Sequence, residues 1–327
     1  MAPTPDRSTM THPLTIVTIG ELLVEFVSHT KGCALTRIGP YSGPYPSGAP
    51  AIFLDQAARM GAPTRMIGSV GDDGFGRALL SRLSGDGVAT DGIAVVPDRT
   101  TGTAFVSYYD DGSRDFIYHM IGSAADAVTL RDDALPPGEI VLHVSASALG
   151  SPPLRTAILA AIDAVLARGG RITADPNARP ELMRDAAARQ ALERVVAQSH
   201  WLMPSTSDLG YLFPDLSEDA AVERLLAASA EIVALKRGDR GATVVGRGER
   251  HDFAPHTVEE VDPTGAGDAF CGTFVAQLVG GASLEEAGRL ANAAGAIAVT
   301  RRGPMEGNSS PEEIAAFLAA NPAGGSA

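Results

Sequence analysis

Cysteine, lysine and aromatic residues are scarce in this chain of 327 residues. The two cysteines, Cys33 and Cys271, lie far apart, which excludes a disulfide scaffold and points to a reducing compartment. Only Lys31 and Lys236 are lysines among 26 basic residues; with abundant alanine, this reads as coding bias rather than mechanism. No stretch approaches about 18 uninterrupted apolar residues, and the opening MAPTPDRSTMTHP holds no apolar segment. A cytoplasmic protein without a membrane partner is therefore expected. Acidic residues number 39 and the formal net charge is −13, which argues against nucleic acid or an anionic membrane as partner. His12, His29, His143, His200, His251 and His256 are scattered, and none forms an H-E-x-x-H pair. Neither a strand-following G-x-G-x-x-G nor a G-x-x-x-x-G-K-S/T occurs, so a dinucleotide-dependent dehydrogenase and a P-loop enzyme are both excluded.

What the chain does have is 45% hydrophobic and 20% charged residues, enough to bury a full core in one large domain or two modest ones. Short apolar runs alternate with amphipathic segments, the pattern of strand–helix–strand units. Strands are expected at 14–20, 65–71, 139–146, 171–177, 199–204, 231–238 and 242–246. Helices are expected at 49–61, 75–87, 154–170, 221–230, 265–281, 283–300 and 310–320. Residues 92–121 alternate instead, with Asp111-Gly112 as a hairpin turn, and 33–47 are rich in Gly, Pro and Tyr. Both stretches read as antiparallel strands inserted into a parallel framework. The fold expected is α/β: a doubly wound, mostly parallel sheet flanked by helices, with a small antiparallel β lid. One domain is expected over 12–322, with lid strands at about 26–47 and 98–121 and residues 1–11 as a disordered tail. No linker, repeat or low-complexity tract divides the chain.

The run carrying most chemistry is Asp262-Pro263-Thr264-Gly265-Ala266-Gly267-Asp268-Ala269-Phe270, at the opening of a helix. Glycines at 265 and 267 let successive N–H groups converge on an anion, and the helix N-terminus adds a positive dipole end. A carboxylate beside an anion cradle is repulsive unless Asp268 is a general base that deprotonates a hydroxyl attacking phosphorus. An ordinary glycine-packed helix cap is the plainer alternative. Gly68-Ser69-Val70-Gly71-Asp72-Asp73-Gly74 reads as mostly structural, with Asp72 or Asp73 capping a helix, and Cys271 as a buried packing thiol.

This nine-residue run resembles the second signature of the ribokinase-like (pfkB) carbohydrate kinases. TIGELLVEF, GPYPSGAPAIFLDQAARMG, GSVGDDGFGRALLSRLSGDGV, DPNARPEL at 175–182 and ALKRGDRGATV at 234–244 agree with it in order. The resemblance implies transfer of the ATP γ-phosphoryl group to a primary hydroxyl of a sugar. By position, Asp268 would be the base, and the amides of Gly265, Ala266 and Gly267 the anion hole. Lys236, Gly238 and Gly241 would stand beside the nucleotide and Asn292 on the adenine side. Glu25, Gly48, Tyr118, Asn177 and Arg179 would face the sugar. Lys236 as a solvated strand end, and Asn177 and Arg179 as loop-holding hydrogen bonders, are the structural alternatives. ATP and Mg²⁺ are the implied cofactors, with a monovalent cation such as K⁺ left open.

Four departures from the family pattern bear on substrate. Glu25 replaces an Asp that binds sugar hydroxyls. Ser47-Gly48 replaces Gly-Gly, and Ile52 a sugar-binding Asn. Ser205-Thr206-Ser207-Asp208 replaces the Asn-x-x-Glu that arranges the metal's waters, with Asp208 expected to accept from Mg²⁺-bound water. Met120, in His119-Met120-Ile121-Gly122-Ser123-Ala124, stands where kinases of 2-keto-3-deoxygluconate place an arginine. A carboxylate against Met120 would be costly, which points to a neutral sugar. The resemblance is to ketohexose kinases of tagatose or fructose type. A sugar-acid or nucleoside kinase is the rival, the acid requiring Arg179 or Arg114; a catalytically silent sensor is the rival of another class. Exposed lid edges would suit a homodimer.

Overall fold

The computed structural model describes residues 14–110, 113–131, 133–178, 185–246 and 248–321. The Asp111-Gly112 turn, Arg179 and the expected tail at 1–11 lie outside them.

The chain begins β1 (Thr15–Ile19), β2 (Leu23–Ser28), β3 (Tyr41–Ser47), α1 (Ala49–Arg59), β4 (Thr64–Gly71), α2 (Gly74–Gly85), β5 (Ile93–Val96). It continues β6 (Gly102–Tyr108), β7 (Arg114–His119), β8 (Ile140–Ser145), α3 (Pro152–Ala167), β9 (Arg171–Asp175), α4 (Ala186–Gln198), β10 (Trp201–Leu202). Then follow α5 (Thr206–Leu212), α6 (Glu218–Ala228), β11 (Ile232–Lys236), β12 (Ala242–Gly246), β13 (Glu249–Phe253), α7 (Ala266–Val279), α8 (Leu284–Ala298) and α9 (Pro311–Ala320). The expected strands and helices are all present within a few residues. α4, α5 and β13 were not foreseen, and β2 starts a few residues ahead of the lid stretch expected from about 26. For α4 the signal existed, since its buried Ala188, Ala191, Leu192 and Val195 follow helical spacing, but alanine supplies little contrast with its neighbours.

Nine strands form the main sheet in the order β13-β12-β11-β10-β9-β8-β1-β4-β5, with β12 alone running antiparallel to the others. Adjacent strand residues face opposite layers. Ile16, Val141 and Ile232 pack under α1, α7 and α8, while Val17, Leu142 and Val233 pack under α3, α4 and α6. Both faces are covered, which explains apolar runs without alternation. Leu142 and Phe274 are fully buried, each worth roughly 1.5–3 kcal/mol of transfer free energy.

A second sheet, β3-β2-β6-β7, forms the lid; its outer pairs are antiparallel and its central pair β2–β6 is parallel. One expectation is corrected here. The start of the 92–121 stretch is not lid, because β5 pairs in parallel with β4 at the edge of the main sheet. Four residues are too few for periodicity to separate an edge strand from a lid strand.

Chain direction along the main sheet reverses beside β1: β4 and β5 extend one way, β8 to β11 the other. The crevice at the carboxyl ends of β1 and β8 is thus the switch point, where sites in doubly wound sheets form. Glu21 follows β1, Ser147 follows β8, Asn177 follows β9 and Asp208 follows β10.

Candidate active site

Seven of the nine described helices are capped at their N-termini by their own Ser or Asp side chain. The exceptions are α1 and α7, which open on Gly48 and Gly265 without a side-chain cap. The N–H groups of such a first turn need an acceptor from elsewhere. Gly265 has φ 84°, and a Cβ there would stand 2.1 Å from the Pro304 carbonyl oxygen. Only glycine brings the α7 N-terminus this close to the 304 loop.

Three adjoining cavities meet at this turn. A small one of about 80 Å³, under the lid, is lined by Glu21, Glu25, Gly48, Ile52, Tyr118, Met120, Asn177 and Asp268, among others. A cavity of about 540 Å³ shares Asn177, Gly265 and Asp268 with it and adds Gly267, Asp175, Asp208 and Lys236. The third, about 530 Å³, shares Lys236, Gly238 and Gly267 and continues to Gly241, His256, Phe270 and Asn292. Gly265 and Asp268, at the start of α7, therefore stand between the small pocket and the channel.

Lid strand β7 lines the small pocket with Arg114, Phe116 and Tyr118, the residues of one strand face, and Met120 follows just past its end. His119, on the opposite face, is exposed and outside this pocket. Glu25 is buried and accepts from the Ser47 hydroxyl at 3.4 Å; Glu21, also buried, accepts from Ser147 at 3.2 Å. The Asn177 backbone N–H donates to Asp175 at 3.1 Å and its side-chain amide to Ser145 at 3.4 Å.

A further link ties the lid to the turn that opens α7. The Tyr108 hydroxyl, at the end of β6, donates to buried Asp262 and lies within hydrogen-bonding distance of the Thr264 hydroxyl. Asp262 in turn accepts from the Thr264 N–H and the Gly303 N–H, both at 3.0 Å. Burial and the Asp262 charge push the Tyr108 phenol well above its ordinary range, so it stays a donor at all physiological pH.

The chain matches the family model of pfkB carbohydrate kinases over residues 14–311. It belongs to the pfkB family of carbohydrate kinases. Fructokinase-1 of Oryza sativa subsp. japonica is 32% identical over 310 residues, covering 91% of this chain and 95% of its own. The fructokinase of Vibrio alginolyticus is 31% identical over 280 residues, covering 84% and 91%. Among solved structures, an E. coli protein provisionally named ribokinase II, in complex with ATP and Mg²⁺, superposes with a TM-score of 0.88 at 40% identity, over 94% of this chain and 99% of its own. Fructokinase from Vibrio cholerae O395, bound to fructose, ADP and calcium, superposes with a TM-score of 0.80 at 26% identity, over 93% and 98%.

Of the residues expected at the site, this pfkB kinase brings Glu25, Gly48, Tyr118, Asn177, Gly265 and Asp268 to the small pocket under the lid. It brings Lys236, Gly238, Gly241, Ala266, Gly267 and Asn292 to the third cavity. Two take different environments from those expected. Lys236 is no solvated strand end. Its side chain is 13% exposed and its ammonium donates to Asp175, with Cys271 Sγ 3.5 Å away. Burial alone would lower the Lys236 pKa, but Asp175, Cys271 and Asp208 hold it above the ordinary range. Asp208 closes a capping box on α5. One oxygen accepts from the Ser205 N–H at 2.7 Å and the Ser205 hydroxyl at 2.6 Å, the other from the Ala178 N–H at 2.7 Å. The Asn292 amide donates to the Ala254 carbonyl at 2.9 Å, fastening the loop that walls the third cavity.

Sequence reasoning missed Glu21, Ser147, Thr264 and Phe116 as lining residues. Glu21 had a usable signal, following a strand that ends in glycine; Ser147 had none, because its place depends on β8 lying beside β1.

Among the described residues, no group of three or more His, Cys, Asp or Glu side chains is arranged to hold a metal. The donor set fits a metal carried on nucleotide phosphates and waters. Buried Asp208 and Asp175 line the channel, and Asp208, with both oxygens already accepting, suits a bound water rather than direct ligation.

Proposed function

We propose that this pfkB kinase transfers the γ-phosphoryl group of Mg·ATP to the terminal primary hydroxyl of a neutral ketohexose, fructose or tagatose. One observation carries the reading: the Asp268 carboxylate and the uncapped α7 turn form a single wall between acceptor pocket and phosphate channel.

Asp268 takes the proton of the acceptor hydroxyl as its oxygen attacks phosphorus. The amides of Gly265, Ala266 and Gly267 receive the charge that develops on the transferring group, with the α7 dipole behind them. Glu21, Glu25 and Asn177 hold sugar hydroxyls, and Ile52 and Met120 give the pocket an apolar side. The lid over the pocket excludes water, which would otherwise compete as acceptor. Asp208, with Asp175, would hold waters of the magnesium ion; the ion supplies charge neutralisation to the ATP phosphates. Gly238, Gly241 and Asn292 would border the adenosine.

Fructokinase relatives and the fructose complex of the Vibrio cholerae enzyme support the ketohexose. The absence of any helix long and apolar enough to cross a membrane, among the described residues, is consistent with a cytoplasmic place. The outer lid face, with Phe105 36% and Ile117 55% exposed, would suit a homodimer. A second acceptor class has one observation behind it: Arg114 lines the same pocket, as a sugar acid would require.

The test is ADP release with Mg·ATP and a panel of D-fructose, D-tagatose, D-ribose and 2-keto-3-deoxygluconate. Turnover on a ketohexose and none on the acid is expected. Turnover on the acid alone would overturn the neutral-sugar reading.

A further inference from the structure

Tyr108 closes strand β6 on the inner side of the lid. Ala104 and Val106 are fully buried while Phe105 is exposed, so alternate side chains of β6, Tyr108 included, point inward. Its backbone is held in place: the Tyr108 carbonyl accepts from the Gly32 N–H at 2.8 Å, and Tyr108 pairs with Arg114 of β7. The hydroxyl reaches out of the lid to fully buried Asp262. One Asp262 oxygen accepts from this hydroxyl and from the Thr264 N–H at 3.0 Å, the other from the Gly303 N–H at 3.0 Å. With its proton on Asp262, the Tyr108 oxygen can accept from the Thr264 hydroxyl. Asp262 thus ties together the two segments that meet at Gly265, where a Cβ would stand against the Pro304 carbonyl. A second lid tyrosine abuts the same loop, since a Cβ at Gly303 would stand 2.7 Å from the Tyr45 ring.

We propose that Tyr108 is a positioning residue of the phosphoryl-transfer site, fixing through Asp262 the turn from Thr264 to Asp268 at which α7 opens. This role rests on the kinase reading above. Thr264, Gly265 and Asp268 line the small pocket, whereas Tyr108 lines none of the three cavities. What it adds to turnover therefore passes through the groups it holds. A buried carboxylate needs its oxygens met by donors, and those donors set where it sits. Without the Tyr108 hydroxyl, one Asp262 oxygen keeps a single amide and the Thr264 hydroxyl loses this acceptor. The turn is then free to shift against the 303 loop. Asp268 and the α7 amides ride on that turn, and a displacement of about 1 Å at such a site can cost about 10²-fold in rate. Packing alone does not call for the hydroxyl, because the bare ring would fill the same space.

Tyr108→Phe keeps the ring and removes only the hydroxyl. On whichever sugar the unmodified enzyme turns over fastest, kcat is expected to fall about tenfold, with both KM values within about threefold. In an Asp262→Ala background the same change should cost less than about twofold, because Tyr108 then has no carboxylate to act through. A kcat for Tyr108→Phe within about twofold of the unmodified enzyme overturns the proposal. So does a loss that persists in full on Asp262→Ala, or one confined to KM for the sugar, which would make Tyr108 a substrate contact. Amide exchange followed by mass spectrometry reads the turn itself and needs no substrate. Exchange in the segment 262–268 should quicken at least about threefold in Tyr108→Phe, with α3 unchanged. Unchanged exchange there overturns the proposal, even where Asp262→Ala does not fold. Should the unmodified protein phosphorylate no sugar while Tyr108→Phe still shows the quickened exchange, the substrate reading fails alone and the tyrosine keeps its role.

Discussion

Lys236 and Asp175 form an ion pair closed off between the carboxyl ends of β11 and β9, side chains 13% and 5% exposed. A lysine facing a nucleotide cavity would ordinarily be assigned to phosphate. Here its charge is met inside the protein, and its first role is to hold two neighbouring active-site loops together.

Lys236→Met should therefore act on stability before affinity. Leaving Asp175 buried without its partner is expected to cost about 3–5 kcal/mol in urea unfolding, with the Lys236→Met/Asp175→Asn double variant recovering part. A stability equal to the unmodified protein, with ATP affinity lost, would return Lys236 to the phosphates.

Asp268→Asn keeps the shape of the α7 turn and removes the base. kcat should fall by about 10²–10⁴-fold, with ATP affinity by calorimetry nearly unchanged. An Asp268→Asn enzyme of normal turnover would remove the base assignment.

Gly265→Ala places a Cβ against the Pro304 carbonyl at a φ of 84°. The α7 turn must shift away from the 304 loop, so activity should drop by at least about tenfold alongside 1–3 kcal/mol of strain. Ala266→Gly, in the same turn, carries no such clash and serves as the comparison.

Stability should fall as pH rises toward neutrality because of Asp55. It is fully buried, accepts from Asn308 at 2.7 Å and from Arg82 at 3.3 Å, and shares that arginine with Asp86. Burial outweighs Arg82 and pushes its carboxyl up to about 7. A raised folded-state pKa means that the native protein holds a proton which the unfolded chain releases near pH 4. This contribution is complete below about pH 4 and lost as pH rises through 7, at up to about 1.4 kcal/mol per unit. Melting curves from pH 4 to 8 should show that slope, and Asp55→Asn should flatten it. An identical slope in both proteins would assign the titration elsewhere.

The alternation of apolar strands and amphipathic helices, and the DPTGAGD turn with its base, could be read directly from the chain. Both are local: strand–helix units declare themselves within about 10–20 residues, and two glycines with an aspartate at a helix start carry their geometry with them. Even Met120 and Ile52, named as apolar substitutions, proved to line the acceptor pocket. What local pattern could not contain is who stands opposite whom. Asp175 and Lys236 meet because β9 and β11 flank β10; Tyr108 reaches Asp262 because the lid folds over the sheet; Asp208, besides its local box with Ser205, accepts from the Ala178 N–H because β9 and β10 are neighbours. Arg114, one of two arginines that a sugar acid would require, reaches the small pocket only because the lid folds over the sheet. Charge pairing depends on distance across the fold, and only the tertiary structure sets that distance.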